Sequence, residues 1–232
     1  MKKKAFLAAL PYTSPVFLGY LFLGIAFGVS LVSKGYSFYL AIFMSVVIYA
    51  GSGQFLAIGL LCEGASIVSS AFLTFMINIR HIFYGLSMFD KFENMGIKKP
   101  YMIFSLTDET YSLLCRTNAP KDVNKSWFYF FIALLDHSYW ILGSTIGAVA
   151  GTMLKFNSKG IDFAMTSLFI VIFVEQWETM KKHKPHMIGL IVSTGALILF
   201  GKDNFIVISM LFMLLLLVLF RKRIERDYEA VR

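Results

Sequence analysis

The chain has 232 residues, 57% of them hydrophobic and 16% charged, with a formal net charge of +8 and a mean hydropathy of +0.68. A soluble globular domain carries about 25% charged residues, so this composition excludes one and describes a polytopic membrane protein. The length leaves no room for a soluble catalytic domain, and the positive charge sits at segment ends (Lys2-Lys3-Lys4, Lys181-Lys182-His183-Lys184, Arg221-Lys222-Arg223) as a topology signal, not as a nucleic-acid patch.

A spanning helix needs about 20 mostly apolar residues. Residues 5–33 carry no charge, which is too long for the apolar core of a signal peptide, so an uncleaved first span is expected over 11–33. A second span is expected over 36–62 and a third over 64–89, the latter interrupted by Arg80-His81. Residues 101–117 are weakly apolar and read as a short span, a broken helix or a re-entrant segment. Further spans are expected over 127–150 and 162–180. A closing hairpin, 187–200 and 205–220, turns at Gly201-Lys202-Asp203-Asn204.

The predicted fold class is therefore all-α, a transmembrane helical bundle of about eight hydrophobic segments in one domain, 1–232. If both basic termini are cytoplasmic the number of crossings is even. Eight satisfies this only if 101–117 crosses, and then Lys91, Lys98 and Lys99 fall outside, against the usual bias. Gly19, Gly24 and Gly28 echo Gly143, Gly147 and Gly151, and Gln54-Phe55 echoes Gln176-Trp177. The echo suggests two repeats, 11–117 and 127–220, of the kind that enclose a substrate in transporters. Chance likeness between apolar helices is the alternative.

The polar residues inside apolar runs are the candidate working parts, since each costs about 2.5–3.5 kcal/mol to insert. In Tyr49-Ala50-Gly51-Ser52-Gly53-Gln54-Phe55, two glycines around a serine loosen a helix and free backbone groups to face a cavity. Close helix packing is the competing reading of these small residues. In Asn78-Ile79-Arg80-His81, Asn78 shares a helix face with His81, and Arg80 shares another with Tyr84. Arg80 suits a substrate carboxylate or a structural pair with a buried acid. Asp108 and Glu109 diverge by about 100° on a helix, so only one of them faces a given partner.

Asp136-His137 could relay protons, but it lies near the start of its span and is read as interfacial, as are Glu175 and Glu178. The Gly24/Gly28 and Gly143/Gly147/Gly151 stripes are read as helix contacts. Cys62 and Cys115 suggest neither a disulfide nor a metal site, and no nucleophile elbow, Walker loop or His-Glu-x-x-His motif occurs. An enzyme is not expected, nor a cofactor.

The chain resembles the AzlC family, the large subunit of bacterial branched-chain amino acid exporters. Pro15 with Gly19 to Gly28 carries the resemblance, with residues 49–55, residues 78–81 with Tyr84-Gly85, and Asp108-Glu109 with Tyr111. Trp140, Gly143 and Gly147 match more loosely, and position 53 is more often Ala in that family. The resemblance implies ion-gradient-driven export of branched-chain amino acids from a multi-pass protein of the bacterial inner membrane. It also implies a separately encoded AzlD-type small membrane subunit as partner. The expected site comprises Gly51, Ser52, Gly53, Gln54, Asn78, Arg80, His81, Tyr84, Asp108 and Glu109. A passive channel, or an assembly subunit without transport of its own, is the alternative.

Overall fold

The computed structural model describes residues 2–153, a few isolated positions between 167 and 178, and residues 183–220. Every regular element among them is helical. The chain divides into two compact units, Met1–Met165 and Thr166–Arg232. The expected span over 162–180 and the Gln176 echo lie largely outside the described residues.

Two long helices frame the first unit: α1 (Lys2–Ser33) and, later in the chain, α8 (Lys125–Met153). Helix α1 begins at Lys2, nine residues before the expected start of the span at 11, and continues through Pro11 and Pro15. Pro15 has no N–H to offer the carbonyl of Pro11, and the Ser14 hydroxyl donates to it instead at 3.0 Å. The two helices run parallel, pairing Phe6 with Phe131 at 5.4 Å and Phe17 with Tyr139 at 4.9 Å. Farther along they touch backbone to backbone through the expected glycine stripes. A Cβ at Gly24 would stand 2.8 Å from Ser144 N, and one at Gly143 would stand 2.7 Å from Tyr20 O.

Between them lie α2 (Phe38–Val47), α3 (Gly51–Cys62), α4 (Ile67–Asn78), α5 (Arg80–Ser87), a 3₁₀ turn (Gly96–Lys98), α6 (Lys99–Phe104) and α7 (Asp108–Arg116). The single helix expected over 36–62 is not formed. It breaks at 48–50, and α3 returns to the end it came from, its last turn lining a cavity of about 230 Å³ with Ser30 and Lys34 at the end of α1. Residues 64–89 bend by 43° at Ile79. Residues 101–117 also break and double back, with the opposite polarity. Both flanks of this segment meet the N-terminal ends of α1 and α8. Lys98 and Lys2 lie over the same Trp127 ring at 3.9 and 4.5 Å, and Lys4 reaches Asp122 at 3.7 Å.

This end is sealed by a core that includes Ala5, Ala9, Phe92, Met102, Leu114, Phe128 and Ile132. The Lys91 ammonium caps α7 by donating to the carbonyls of Leu114 and, at 2.9 Å, Thr117. Its burial there draws its pKa below the ordinary lysine value.

In the second unit the helical stretch Lys184–Leu219 is interrupted at Gly201, with φ 72°. A Cβ at Gly189 would lie 3.6 Å from Met213 Sδ. In a straight helix those positions would stand about 36 Å apart. The chain therefore folds back at Gly201, as the expected closing hairpin does.

Candidate functional site

Three helix breaks meet beside the middle of α8. At the first, Tyr49 takes φ 44°, a left-handed conformation that a bulky side chain adopts only when its surroundings impose it. Helix α3 then starts at Gly51 with no side-chain cap on its amides. The small residues leave room for close neighbours here, since Cβ atoms at Gly51 and Gly53 would lie 3.3 Å from the Trp140 ring and 2.9 Å from Asn78 Nδ2. The alanine common at position 53 in the resembled family would press on Asn78, so that exchange is less neutral than size alone implies. At the third break Thr107 caps α7 by accepting from Thr110 N at 3.3 Å, which places Asp108 and Glu109 in the first turn.

One polar cluster forms around Arg80. Its Nη2 donates to Asp108 Oδ2 and to Ser52 Oγ, both at 2.9 Å. The Tyr84 hydroxyl donates to Asp108 Oδ1 at 2.6 Å, and the Tyr84 ring stacks on Tyr111 at 4.1 Å. Two buried groups here have no partner, the donor Arg80 Nε and the acceptor Asn78 Oδ1. Unfilled buried polar groups are costly, and such a pair is suited to a ligand that brings its own acceptor and donor. Arg80 and Asp108 remain about one-third exposed (32% each).

A second cluster is buried apart from Glu109, which is half-buried. The Tyr20 hydroxyl donates to Glu109 Oε2 at 2.9 Å and touches Thr107 Oγ1 at 2.6 Å. Thr107 donates to Thr110 at 3.0 Å, and Thr110 donates to Asp136 Oδ2 at 2.8 Å. Beside it, His137 meets the Tyr101 hydroxyl at 3.0 Å and the Ser45 carbonyl at 3.1 Å, under the Tyr49 ring at 4.1 Å. Gln54, 0% exposed, accepts from Trp140 Nε1 at 2.9 Å and donates to Ser45 Oγ at 3.3 Å.

The structure brings Ser52, Gly53, Asn78, Arg80, Tyr84 and Asp108 together. Glu109 diverges from Asp108 to a separate set of partners. The Gln54 amide is taken up by scaffold contacts, and His81 lies half-buried, edge-on to Tyr84 at 5.6 Å. The interfacial reading of Asp136-His137 is wrong. Both are buried, at 0% and 7% exposure, in the middle of a 29-residue helix. Tyr20, Thr107 and Thr110 were missed, because each looks ordinary until the fold sets it against a carboxylate. Among the described residues no cluster of His, Cys, Asp and Glu could hold a metal.

Comparison with known proteins gives concordant matches. The family model described as AzlC protein matches residues 15–154. The chain is 48% identical to the branched-chain amino acid transport protein AzlC of Bacillus subtilis, covering 98% of this chain and 89% of the relative. It is 43% identical to an uncharacterized membrane protein of Helicobacter pylori, covering 96% and 97%. It is 28% identical to the inner membrane protein YgaZ of Escherichia coli, covering 69% and 66%. No solved structure matches the chain.

Proposed function

The chain belongs to the AzlC family, a family of membrane transport proteins and not of enzymes, and from that premise we propose that it exports branched-chain amino acids as a secondary transporter of the bacterial inner membrane. The name of the Bacillus relative supports the substrate class. The observation that carries the reading is the unfilled pair at Arg80 Nε and Asn78 Oδ1 beside the Arg80–Asp108 ion pair. An amino acid is a zwitterion. Its carboxylate would take Arg80, Ser52 and the uncapped start of α3, while its ammonium would take Asp108 and Asn78. An AzlD-type small subunit would complete the transporter in the bilayer.

The test is counterflow of labelled leucine in proteoliposomes, with and without a co-purified small subunit. Labelled leucine should accumulate transiently against excess unlabelled leucine, and alanine-for-Asn78 should weaken it. Equilibration with no overshoot would make the protein a passive channel. No movement of leucine under either condition would leave an assembly subunit.

The crossing count belongs to the same proposal. Because the 36–62 and 101–117 segments each return to their starting end, the first unit crosses three times, through α1, the bent α4–α5 pair and α8. Lys91, Lys98 and Lys99 then join Lys2 to Lys4 at the cytoplasmic face, which removes the conflict with the positive-inside bias. The exposed thiols of Cys62 and Cys115 test this. A membrane-impermeant maleimide should reach Cys62 from outside the cell and Cys115 only from inverted vesicles. The eight-crossing count would place both thiols inside, and labelling of both from the cytoplasmic face alone would restore it.

A further inference from the structure

The buried hydroxyl chain between Glu109 and Asp136 contains fewer hydrogens than it has contacts. Its four contacts are Glu109–Tyr20, Tyr20–Thr107, Thr107–Thr110 and Thr110–Asp136, at 2.9, 2.6, 3.0 and 2.8 Å. Tyr20, Thr107 and Thr110 bring one hydroxyl hydrogen each, three in all. Thr107 commits its hydrogen to Thr110, and Thr110 commits its own to Asp136. The two contacts of Tyr20 are then left with the single hydrogen of Tyr20. With both carboxylates ionised and Tyr20 donating to Glu109, the buried Tyr20–Thr107 contact would press bare oxygen lone pairs together, at a cost that buried hydrogen-bonding groups avoid.

We propose that Glu109 and Asp136 share one excess proton through Tyr20, Thr107 and Thr110, and that this chain is the path of the proton coupled to transport. With the proton on Glu109 every contact is filled. Glu109 donates to Tyr20, Tyr20 to Thr107, Thr107 to Thr110, and Thr110 to an ionised Asp136. Transfer breaks four O–H bonds and makes four: each oxygen passes its hydrogen one place along, Glu109 becomes the carboxylate and Asp136 the acid. No electrons move, and the hydroxyls turn back before the next proton enters.

The surroundings suit the two ends to different tasks. Glu109 neighbours Asp108 and, through it, Arg80 at the proposed substrate site. Asp136 keeps Oδ1 without a partner. It is flanked by His137, by Tyr101 on His137 Nδ1, and by the Tyr49 phenol, whose buried hydroxyl faces Thr110, Tyr20 and Thr107. The two carboxylates therefore stand on the substrate side and on the α8 side of one wire.

The path rests on the transporter reading, but the shared proton does not, so two measurements separate them. Infrared spectroscopy of the purified protein should show a protonated-carboxyl C=O band, shifted in deuterium oxide, that disappears in Glu109→Gln. Absence of the band in the wild type overturns the shared proton whether or not leucine is transported. In proteoliposomes Thr110→Val and Tyr20→Phe should keep leucine counterflow, which moves no net proton. They should lose pH-gradient-driven transport by about tenfold or more, as expected when a proton-transfer group is removed. Thr110→Ser, which restores the hydroxyl, should recover it. If Thr110→Val responds to a pH gradient like the wild type, the chain is not the path. Failure of counterflow in the wild type would overturn the transporter reading alone and leave the infrared result to judge the proton.

Discussion

Arg80→Lys is expected to fold, to reach wild-type abundance, and to lose leucine counterflow by about 10- to 100-fold, the worth of one or two charge-assisted hydrogen bonds. The guanidinium spans Ser52 on α3 and Asp108 on α7, both at 2.9 Å from one nitrogen, and holds its Nε ready behind them. A planar fork can serve three acceptors on different elements; a single ammonium on a flexible stem cannot. The fold should survive because the ammonium still neutralises Asp108, which also keeps its 2.6 Å bond from Tyr84. Arg80→Ala strands that carboxylate. Because the pair is 32% exposed on each side, its loss should cost less than the about 3–5 kcal/mol of a fully buried pair. Counterflow at matched protein level, alongside thermal unfolding of each variant, separates the two effects. Wild-type counterflow by Arg80→Lys would remove Arg80 from the substrate site.

The long helices are legible in the sequence because nothing competes with a mostly apolar run of sufficient length, and the Gly201 turn is legible as the one polar break in the last run. The doubled-back segments are not. Hydropathy reads 36–62 as one run of spanning length, yet it cannot distinguish one crossing from two half-helices that meet at depth. The distinguishing signal is Tyr49 to Gly53, where small residues mark a local loosening, but the reversal of direction depends on Trp140 and His137, far along the chain. Arg80, Tyr84 and Asp108 were recognisable because charge at depth is expensive wherever it appears. Asp136 was undervalued for the opposite reason. Position within an apolar run does not fix distance from an interface, because α8 extends far enough to bury Asp136 and α7 folds back to supply Thr110. Tyr20 carried no sequence signal, since a tyrosine in an apolar helix is commonplace until its hydroxyl is seen at 2.9 Å from Glu109.

Alanine at Gly147 or Gly28 should abolish the folded protein, while alanine at Gly19 should raise its stability slightly. All are helical glycines, so intrinsic propensity favours alanine at each by about 0.5–1 kcal/mol. Gly19 has open space around it, with nothing within 4 Å of a Cβ. At Gly147 a Cβ would collide with the backbone of Ile25, and at Gly28 with the backbone of Ser144 and Ala148. A clashing side chain can rotate away, but backbone can give only by moving the helix. The parallel contact of α1 and α8 would have to part along its length, costing more than the about 1–3 kcal/mol of ordinary overpacking. The thermal midpoint of the purified variants, or folded yield where none can be purified, checks the ranking; an unchanged midpoint for Gly147→Ala would mean that the helices are not in backbone contact. Gly143 joins this scaffold to the chemistry. Its Cβ would stand 2.7 Å from the Tyr20 carbonyl, so Gly143→Ala must shift the residue whose hydroxyl joins Glu109 to Thr107. Displacing Tyr20 misaligns its hydroxyl with both Thr107 and Glu109 without unfolding the bundle. Gly143→Ala should therefore be the mildest of the three backbone-contact variants in stability, yet fall with Tyr20→Phe in gradient-driven transport.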